Sequence, residues 1–545
     1  MADFKDKVVY QIYTKSFMDS NGDGLGDIPG VTMKLNYLKE LGVDYIWMTP
    51  FFKSPLNDNG YDVADYTAID PVFGTMEDVE ELITQADQRG IGLMFDMVFN
   101  HTSTDHIWFQ KALAGDREYQ DYYIFRDGRP DTPPTNWESK FGGSAWEYVP
   151  HLGKWYLHLF DVSQADLNWD NPKVREELKD VLRFWKNKGV RGFRFDVVNL
   201  ISKPLIFEND PAGDGRRFYT DGPHVHEYIH ELVTDAGIED YVTVGEMSST
   251  TLDNCVRYSN PGEKELSMVF NFHHLKVDYK DGDKWALMPA DLPALKNLFR
   301  TWQEGMQAGN GWNAVFWCNH DQPRSVSRFG DEQHYRTESA KMLAACIHLM
   351  RGTPYIYQGE ELGMTNAHYT SISQYQDVES LNYYRILLER GKSEAEALEI
   401  LSRRSRDNSR TPMQWSSDEN AGFSSAQPWL APPENYKEIN VRAALADGDS
   451  VFRFYQKLIQ LRKQLPVISG GKIEFLYPYE PRVVVYRRFD ETDELFVLCS
   501  FAGEETTLEL PERAAGKTLL IGNYEAAAIR GGKITLRPYE CVVLR

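Results

Sequence analysis

Cysteine is scarce: five residues in 545 (Cys255, Cys318, Cys346, Cys499 and Cys541), odd in number, far apart and never in CxxC spacing. That excludes a disulfide framework or a thiolate zinc site and leaves the five as structural thiols. Long hydrophobic runs are lacking too. None approaches the roughly 20 residues needed to cross a bilayer, and the opening MADFKDKVVYQIY has no apolar signal-peptide core, so a cytoplasmic location is expected. Positive charge is in deficit, with 59 Lys and Arg against 81 Asp and Glu and a net charge of −22. Such a surface repels nucleic acid and anionic membranes, so neither is expected as a partner, and any anionic ligand needs a local basic pocket. What is present is globular in kind, 42% hydrophobic and 26% charged. The chain is too long for one ordinary domain of about 100 to 200 residues.

Eight short β-branched and aromatic runs, at 8–13, 45–48, 91–98, 192–198, 241–246, 268–272, 314–317 and 355–357, alternate with amphipathic helical stretches up to about residue 465. That cadence predicts a (β/α)8 TIM barrel, with reactive residues just past the C-terminal ends of the strands. The barrel is expected over 1–100 and 166–465. A Trp-, Tyr-, Gly- and Pro-rich inserted subdomain is expected at 101–165 after strand three, and a second insertion at about 364–449 after strand eight. Alternating runs from 466 to 545 predict a C-terminal antiparallel β-sandwich.

Three acids fall at strand ends: Asp196 in RGFRFDVVN, Glu246 in YVTVGEM and Asp321 in FWCNHDQ. Arg194, two residues before Asp196, points to the same side of its strand and favours the ionised form that a nucleophile needs. Crowding and burial are expected to keep Glu246 protonated as a general acid, the division of labour of retaining glycoside hydrolysis. The plain alternative is that each acid is simply solvated in a polar loop. At the same rim stand Asp96, Asn100 and His101 in DMVFNH, His320 before Asp321, and Tyr61 with Asp62 in DNGYD, a ring on which a sugar could stack beside a hydroxyl acceptor.

In order, DMVFNH, QADLN, GFRFDVVN, GEM and FWCNHD resemble the conserved regions of the α-amylase superfamily of α-retaining glycoside hydrolases, over essentially the whole chain. The resemblance implies that Asp196 is the nucleophile, Glu246 the acid/base and Asp321 the acid that grips the ring hydroxyls. It also implies that Asp62, His101, Arg194, His320 and Arg410, the last in SRDNSRTPMQW, bind the non-reducing glucose, with Tyr61 stacked below it; Arg406 competes for the role given to Arg410. QADLN, with Ala165 where a proline is usual, and Val197 after the nucleophile resemble the oligo-1,6-glucosidase branch. DGRRFYTDGPHVHEYIHEL, VGEMSSTTLDNCVRYSN and FNFHHLKVDYKDGDKWAL resemble members of that branch that split a 6-phosphorylated α,α-linked disaccharide into glucose and glucose 6-phosphate. The alternative is an α-1,6-glucosidase acting on isomaltose-type oligosaccharides.

HHLK places His273, His274 and Lys276 near the barrel mouth, with Lys284 following, a basic patch on an acidic protein. A phosphate needs such cations, and burying them without an anion would be costly; the alternative is a surface turn of ordinary lysines. Lys284 is the first choice, because its long stem can reach over the rim. DSNGDGLGD sets Asp19, Asn21, Asp23 and Asp27 at alternating positions, with the Leu25 carbonyl between. Hard cations take such oxygens. By resemblance this is a structural calcium loop; an Asx-rich turn is the alternative. No organic cofactor is expected.

Overall fold

A computed structural model describes residues 3–545. All eight runs enter one parallel sheet: β1 Val9–Ile12, β2 Tyr45–Met48, β3 Gly92–Met97, β4 Gly192–Phe195, β5 Val242–Met247, β6 Met268–Asn271, β7 Ala314–Val315 and β8 Thr353–Tyr357. Neighbours pair in sequence order from β1 to β6, and β8 pairs with both β1 and β7. A parallel bridge from Val269 to Asn313 joins β6 to β7 and closes the barrel. Inside, Tyr355, Phe270 and Trp47 pack with ring centroids 4.6 Å (Tyr355–Phe270) and 5.7 Å (Trp47–Phe270) apart. This apolar plug fills the lower barrel, so the polar groups can gather only at its C-terminal mouth.

Local sequence explains the surrounding helices. Thr75 and Asp78 form a reciprocal capping box on α1 Met76–Gln88, which buries Val79, Leu82, Ile83 and Ala86. Asn171 caps α2 Pro172–Asn187, which has Pro172 in its first turn.

The segment 101–165 forms its own small unit. His101–Ser103 pairs antiparallel with Gln164–Asp166, and Phe125–Asp127, Lys154–Leu157 and Trp146–Val149 make a three-stranded sheet. Its core of Trp137, Trp146 and Leu157 packs on Val197, Leu200 and Tyr219, from the loop after β4, so the subdomain is seated beside Asp196. The second insertion holds α3 Val378–Glu389 and α4 Glu394–Arg404 before the last barrel helix, α5 Val451–Gln464.

The C-terminal domain is a sandwich of two antiparallel sheets. Lys472–Leu476, Val483–Phe489, Glu494–Ser500, Cys541–Leu544 and Leu519–Gly522 form one; Thr506–Glu509, Lys533–Leu536 and Ala528–Arg530 form the other. Val485, Leu498, Ile534 and Leu544 fill the space between them. Two of these strands, 519–522 and 528–530, were not expected from sequence; the second is exposed throughout and offers no alternation to read. All five cysteines are free and buried, with Cys499 facing Cys541 across paired strands. No helix among the described residues is long and apolar enough to cross a membrane.

Candidate active site

A cavity of about 90 Å³ opens at the barrel mouth, and Asp196, Glu246 and Asp321 all line it. Arg194 ties two of these acids, Asp196 and Glu246, to Asp96 from beneath. Its guanidinium donates to Asp96 at 2.6 Å and Asp196 at 2.7 Å, and its other terminal nitrogen pairs with Glu246. Arg194 and Asp96 are each 1% exposed, and Trp47 Nε1 and the Tyr61 hydroxyl both donate to Asp96 at 3.0 Å. Burial pushes Asp196 up to about 6, with Asp96 and Asp321 adding to the rise and Arg194 and His101 opposing it. Arg194 therefore limits a rise that burial dominates, and Asp196 is still mostly ionised at neutral pH. Arg194 thus touches Asp96, Asp196 and Glu246 at once.

Val197, directly after Asp196, sits at φ 35°, ψ 39°. A β-branched residue in this left-handed region carries strain of about 1–3 kcal/mol. The strain is concentrated where the chain turns sharply past Asp196, whose amide donates to the Met97 carbonyl at 3.0 Å.

Asp321 lies opposite. Burial would raise its pKa, but His320, Arg406, Arg410 and Arg194 together hold it far below the usual carboxylate range. His320 is clamped between two tyrosines, stacked on Tyr61 at 5.1 Å and on Tyr13 at 6.0 Å. Burial takes His320 down to about 3, so it is neutral at physiological pH. Its Nδ1 meets Gln11 Nε2 at 2.7 Å, and its buried Nε2 makes no hydrogen bond among the described residues but lies 3.4 Å from an Asp321 carboxylate oxygen. His101 also lines the cavity and contacts the Tyr61 carbonyl at 3.1 Å.

Four residues expected on the glucose do not line the cavity: Arg194 lies beneath the acids, His320 is buried between its tyrosines, and Asp62 and Arg410 stand behind the wall. Asp62 is fully buried and accepts from Ser54 Oγ and the amides of Asn57 and Asp58, so it holds its own loop together. The acid lining the cavity is Asp58, four residues earlier in the same motif. Between the two, Asn59 and Gly60 take positive φ values of 50° and 104° and reverse the chain, which sends the two carboxylates different ways. Arg410 likewise stands behind the wall, donating to Asp321 at 2.7 Å and to the His320 carbonyl at 2.8 Å, while its competitor Arg406 lines the cavity and bonds Asp58 at 3.1 Å. Arg406 is fixed by Asp377 at 2.6 Å, a residue of the second insertion that no local motif marks. Gln164, in the quoted QADLN, was also missed; it is fully buried and reaches Asp58 at 3.1 Å and His101 at 3.2 Å.

The basic patch separates into unlike members. His274 is no cation: its ring is buried against Phe299, Phe316 and Trp317, bonds the Phe316 carbonyl at 2.9 Å and is brought down to about 3 by burial. It supports the HHLK turn from within the core and is withdrawn as a direct phosphate contact. Lys284 is held by Glu379 at 2.6 Å, and Glu379 lies 3.6 Å from Arg406, so Lys284 does reach the rim but is already neutralised there. Lys276 is exposed and has no ion pair among the described residues.

In the loop at 19–27, the carboxylates wrap the backbone. Asp19 accepts from the amides of Asn21, Gly22 and Gly24 and from Ser424 Oγ; Asp27 accepts from Ser20 and from Gly30 N. Among the described residues, no three His, Cys, Asp or Glu side chains converge as a metal-binding group.

A barrel with a subdomain after its third strand and three carboxylates bridged by arginines defines a glycoside hydrolase, an α-glucosidase, of the α-amylase family, and the chain belongs to that family. The family described as "Alpha amylase, catalytic domain" matches residues 11–471, and "Alpha-amylase SusG C-terminal domain" matches 483–543. Within it, the chain is 55% identical over 540 residues to trehalose-6-phosphate hydrolase of Escherichia coli (strain K12), covering 99% of this chain and 98% of that protein. It is 48% identical over 554 residues to oligo-1,6-glucosidase of Parageobacillus thermoglucosidasius, covering 99% and 98%. The crystal structure of Bacillus licheniformis trehalose-6-phosphate hydrolase superposes with a TM-score of 0.96 at 52% identity, covering 100% of this chain and 99% of that one.

Proposed function

We propose that the protein hydrolyses α,α-trehalose 6-phosphate to glucose and glucose 6-phosphate with net retention. Asp196 attacks the anomeric carbon of the unphosphorylated ring while Glu246 passes a proton to the bridging oxygen, which leaves with glucose 6-phosphate. The glucosyl ester on Asp196 is then opened by a water whose proton Glu246 takes, returning both residues to their starting forms. In the first half Glu246 must exchange its contact with Arg194 for the leaving oxygen; in the second, the same contact favours the carboxylate that acts as base. Asp321, kept anionic by its arginines, stabilises the positive charge that develops on the ring.

The observation that carries the choice of substrate is the asymmetry of charge around the cleft. At the glucosyl end Arg406 is consumed by Asp58 and Asp377, which leaves no free cation for a phosphate. Beyond the glucosyl pocket stands Lys276 without a carboxylate, and at the rim Lys284 whose one partner is Glu379. Purified protein should have a much higher kcat/KM on trehalose 6-phosphate than on trehalose or isomaltose; a preference for isomaltose would make it an oligo-1,6-glucosidase instead.

A charge-assisted hydrogen bond is worth about 1.5 to 3 kcal/mol, so Lys276→Ala and Lys284→Ala should each lower kcat/KM on trehalose 6-phosphate by roughly 10- to 150-fold. Aryl α-glucosides, which carry no phosphate, should be hydrolysed almost as before. Equal losses on both substrates would assign these lysines to the fold.

We also propose a structural calcium ion in the loop at 19–27, resting on its alternating oxygens. Asp19, Asn21, Asp23, Asp27 and the Leu25 carbonyl would hold it, and bound there it supplies cross-linking of the loop and no chemistry. A ligand that binds only the folded state raises the melting temperature. EDTA should therefore lower the Tm of the parent but not of Asp23→Ala. Elemental analysis showing no metal, with a Tm indifferent to chelator, would remove calcium from the protein.

A further inference from the structure

Three cations from three separate segments gather around the loop that follows Glu246. Lys140, in the inserted subdomain, is half-buried, donates from Nζ to Ser248 Oγ at 3.2 Å and lies 5.6 Å from the centre of the Tyr219 ring. Arg216, from the loop after β4, stands near the same tyrosine, whose hydroxyl its positive charge acidifies against the larger opposing effect of burial. Lys276 comes from the loop after β6. The three repel one another: Lys140 is brought down to about 7 by burial first and then by Arg216 and Lys276, and Lys276, although its side chain is exposed, is lowered by desolvation from the surrounding wall and then by Arg216. Only one carboxylate pairs within this group, Asp214 with Arg216 at 3.2 Å, and both side chains of that pair are well exposed. Asp166 and Asp214 offset the repulsion at Lys140 without bonding it.

Like charges brought together at the wall of a cleft, on a protein of net charge −22, cost stability unless an anion joins them. Their position says which part of a substrate that anion belongs to. Ser248 is two residues past the proton donor, so the group lies on the leaving-group side of the scissile bond. Phe141, next in the chain to Lys140, lines the glucosyl cavity. The inserted subdomain thus touches both sides of the bond to be broken.

We infer that Lys140 and Arg216, together with Lys276, form a three-point clamp for the phosphate monoester of the leaving sugar, which makes Lys140 and Arg216 specificity-determining residues. A phosphate monoester offers three terminal oxygens and nearly two negative charges, matching three donors from three directions. This rests on the function proposed above and assigns the recognition of its substrate partly to the inserted subdomain.

The test is Lys140→Met and Arg216→Gln in the full chain, with Lys140→Arg as the conservative variant. Each of the first two should lower kcat/KM on trehalose 6-phosphate at least tenfold and leave kcat/KM on an aryl α-glucoside within about twofold, while Lys140→Arg keeps most of the activity. Binding of glucose 6-phosphate, measured by calorimetry, should weaken in step. Equal losses on both substrates, or full activity of Lys140→Met on the phosphorylated one, would overturn the clamp. If the parent itself does not prefer trehalose 6-phosphate, the proposed function fails on its own. Calorimetry with glucose 6-phosphate then still judges the clamp: weaker binding by Lys140→Met upholds it, and unchanged binding refutes it.

Discussion

Asp196→Asn should abolish turnover on every glucoside, by on the order of 10⁴-fold or more, while the protein stays folded. The amide cannot form the glucosyl ester, and no second carboxylate is free to take its place: Asp96 is locked by Arg194, Trp47 and Tyr61, and Asp321 by Arg406 and Arg410. Steady-state rates on an aryl α-glucoside, with circular dichroism as the folding control, are the measurement; a variant within tenfold of the parent would end the assignment. The same residue predicts the acid limb of the pH profile. Only the carboxylate attacks, and burial pushes Asp196 up to about 6, so kcat/KM should fall as the pH drops through about 6. A profile flat down to pH 5 would contradict that value.

Glu246→Gln should fail in a different way. Natural substrates leave through a sugar hydroxyl that needs a proton, whereas activated aryl glucosides leave with little help. The loss should therefore be on the order of 10²- to 10⁴-fold on trehalose 6-phosphate and far smaller for the glucosylation step with an activated aryl glucoside. A pre-steady-state burst followed by slow turnover is expected, because Glu246 is also the base that activates water in the second half. The neutral amide also ends the charge pairing with Arg194, whose guanidinium keeps Asp96 and Asp196 as partners, so the fold should survive. Equal losses on the two substrates would remove Glu246 from proton transfer.

What was legible in the sequence follows from periodicity and from motifs whose residues are neighbours in the chain. Runs of β-branched and aromatic residues separated by capped helices specify βα units, and βα units close in only a few ways, so the barrel and its mouth could be read. Asp196, Glu246 and Asp321 could be read because each lies at or beyond the C-terminal end of a barrel strand, and those ends converge at the barrel mouth. The choice between Asp58 and Asp62 could not, because it turns on two positive-φ residues within one motif, which reverse the chain. Nor could the choice between Arg406 and Arg410, since both lie in one short helical turn and Asp377, far off in sequence, selects which of them faces the cavity.

The basic patch shows the same boundary. Composition established that an anion needs a local basic pocket on this acidic chain, and His274 and Lys276 of HHLK with the later Lys284 were the candidates for it. Charge and burial then divided them by contacts the one-dimensional pattern does not contain: a core ring for His274, a carboxylate for Lys284, open solvent for Lys276. Lys140 carried no signal at all, because a lysine in an irregular insertion looks like any solvated lysine until Ser248 and Tyr219 are placed against it, and Arg216 stood inside the quoted DGRRFYTDGPHVHEYIHEL without being singled out. By itself the sequence determined the architecture and the three carboxylates that line the cavity at its mouth, since hydrophobic periodicity and position near a strand end are local properties. Only the tertiary structure decided which side chains face the sugar and which cations are free to meet an anion, because facing and pairing are set by loops hundreds of residues apart.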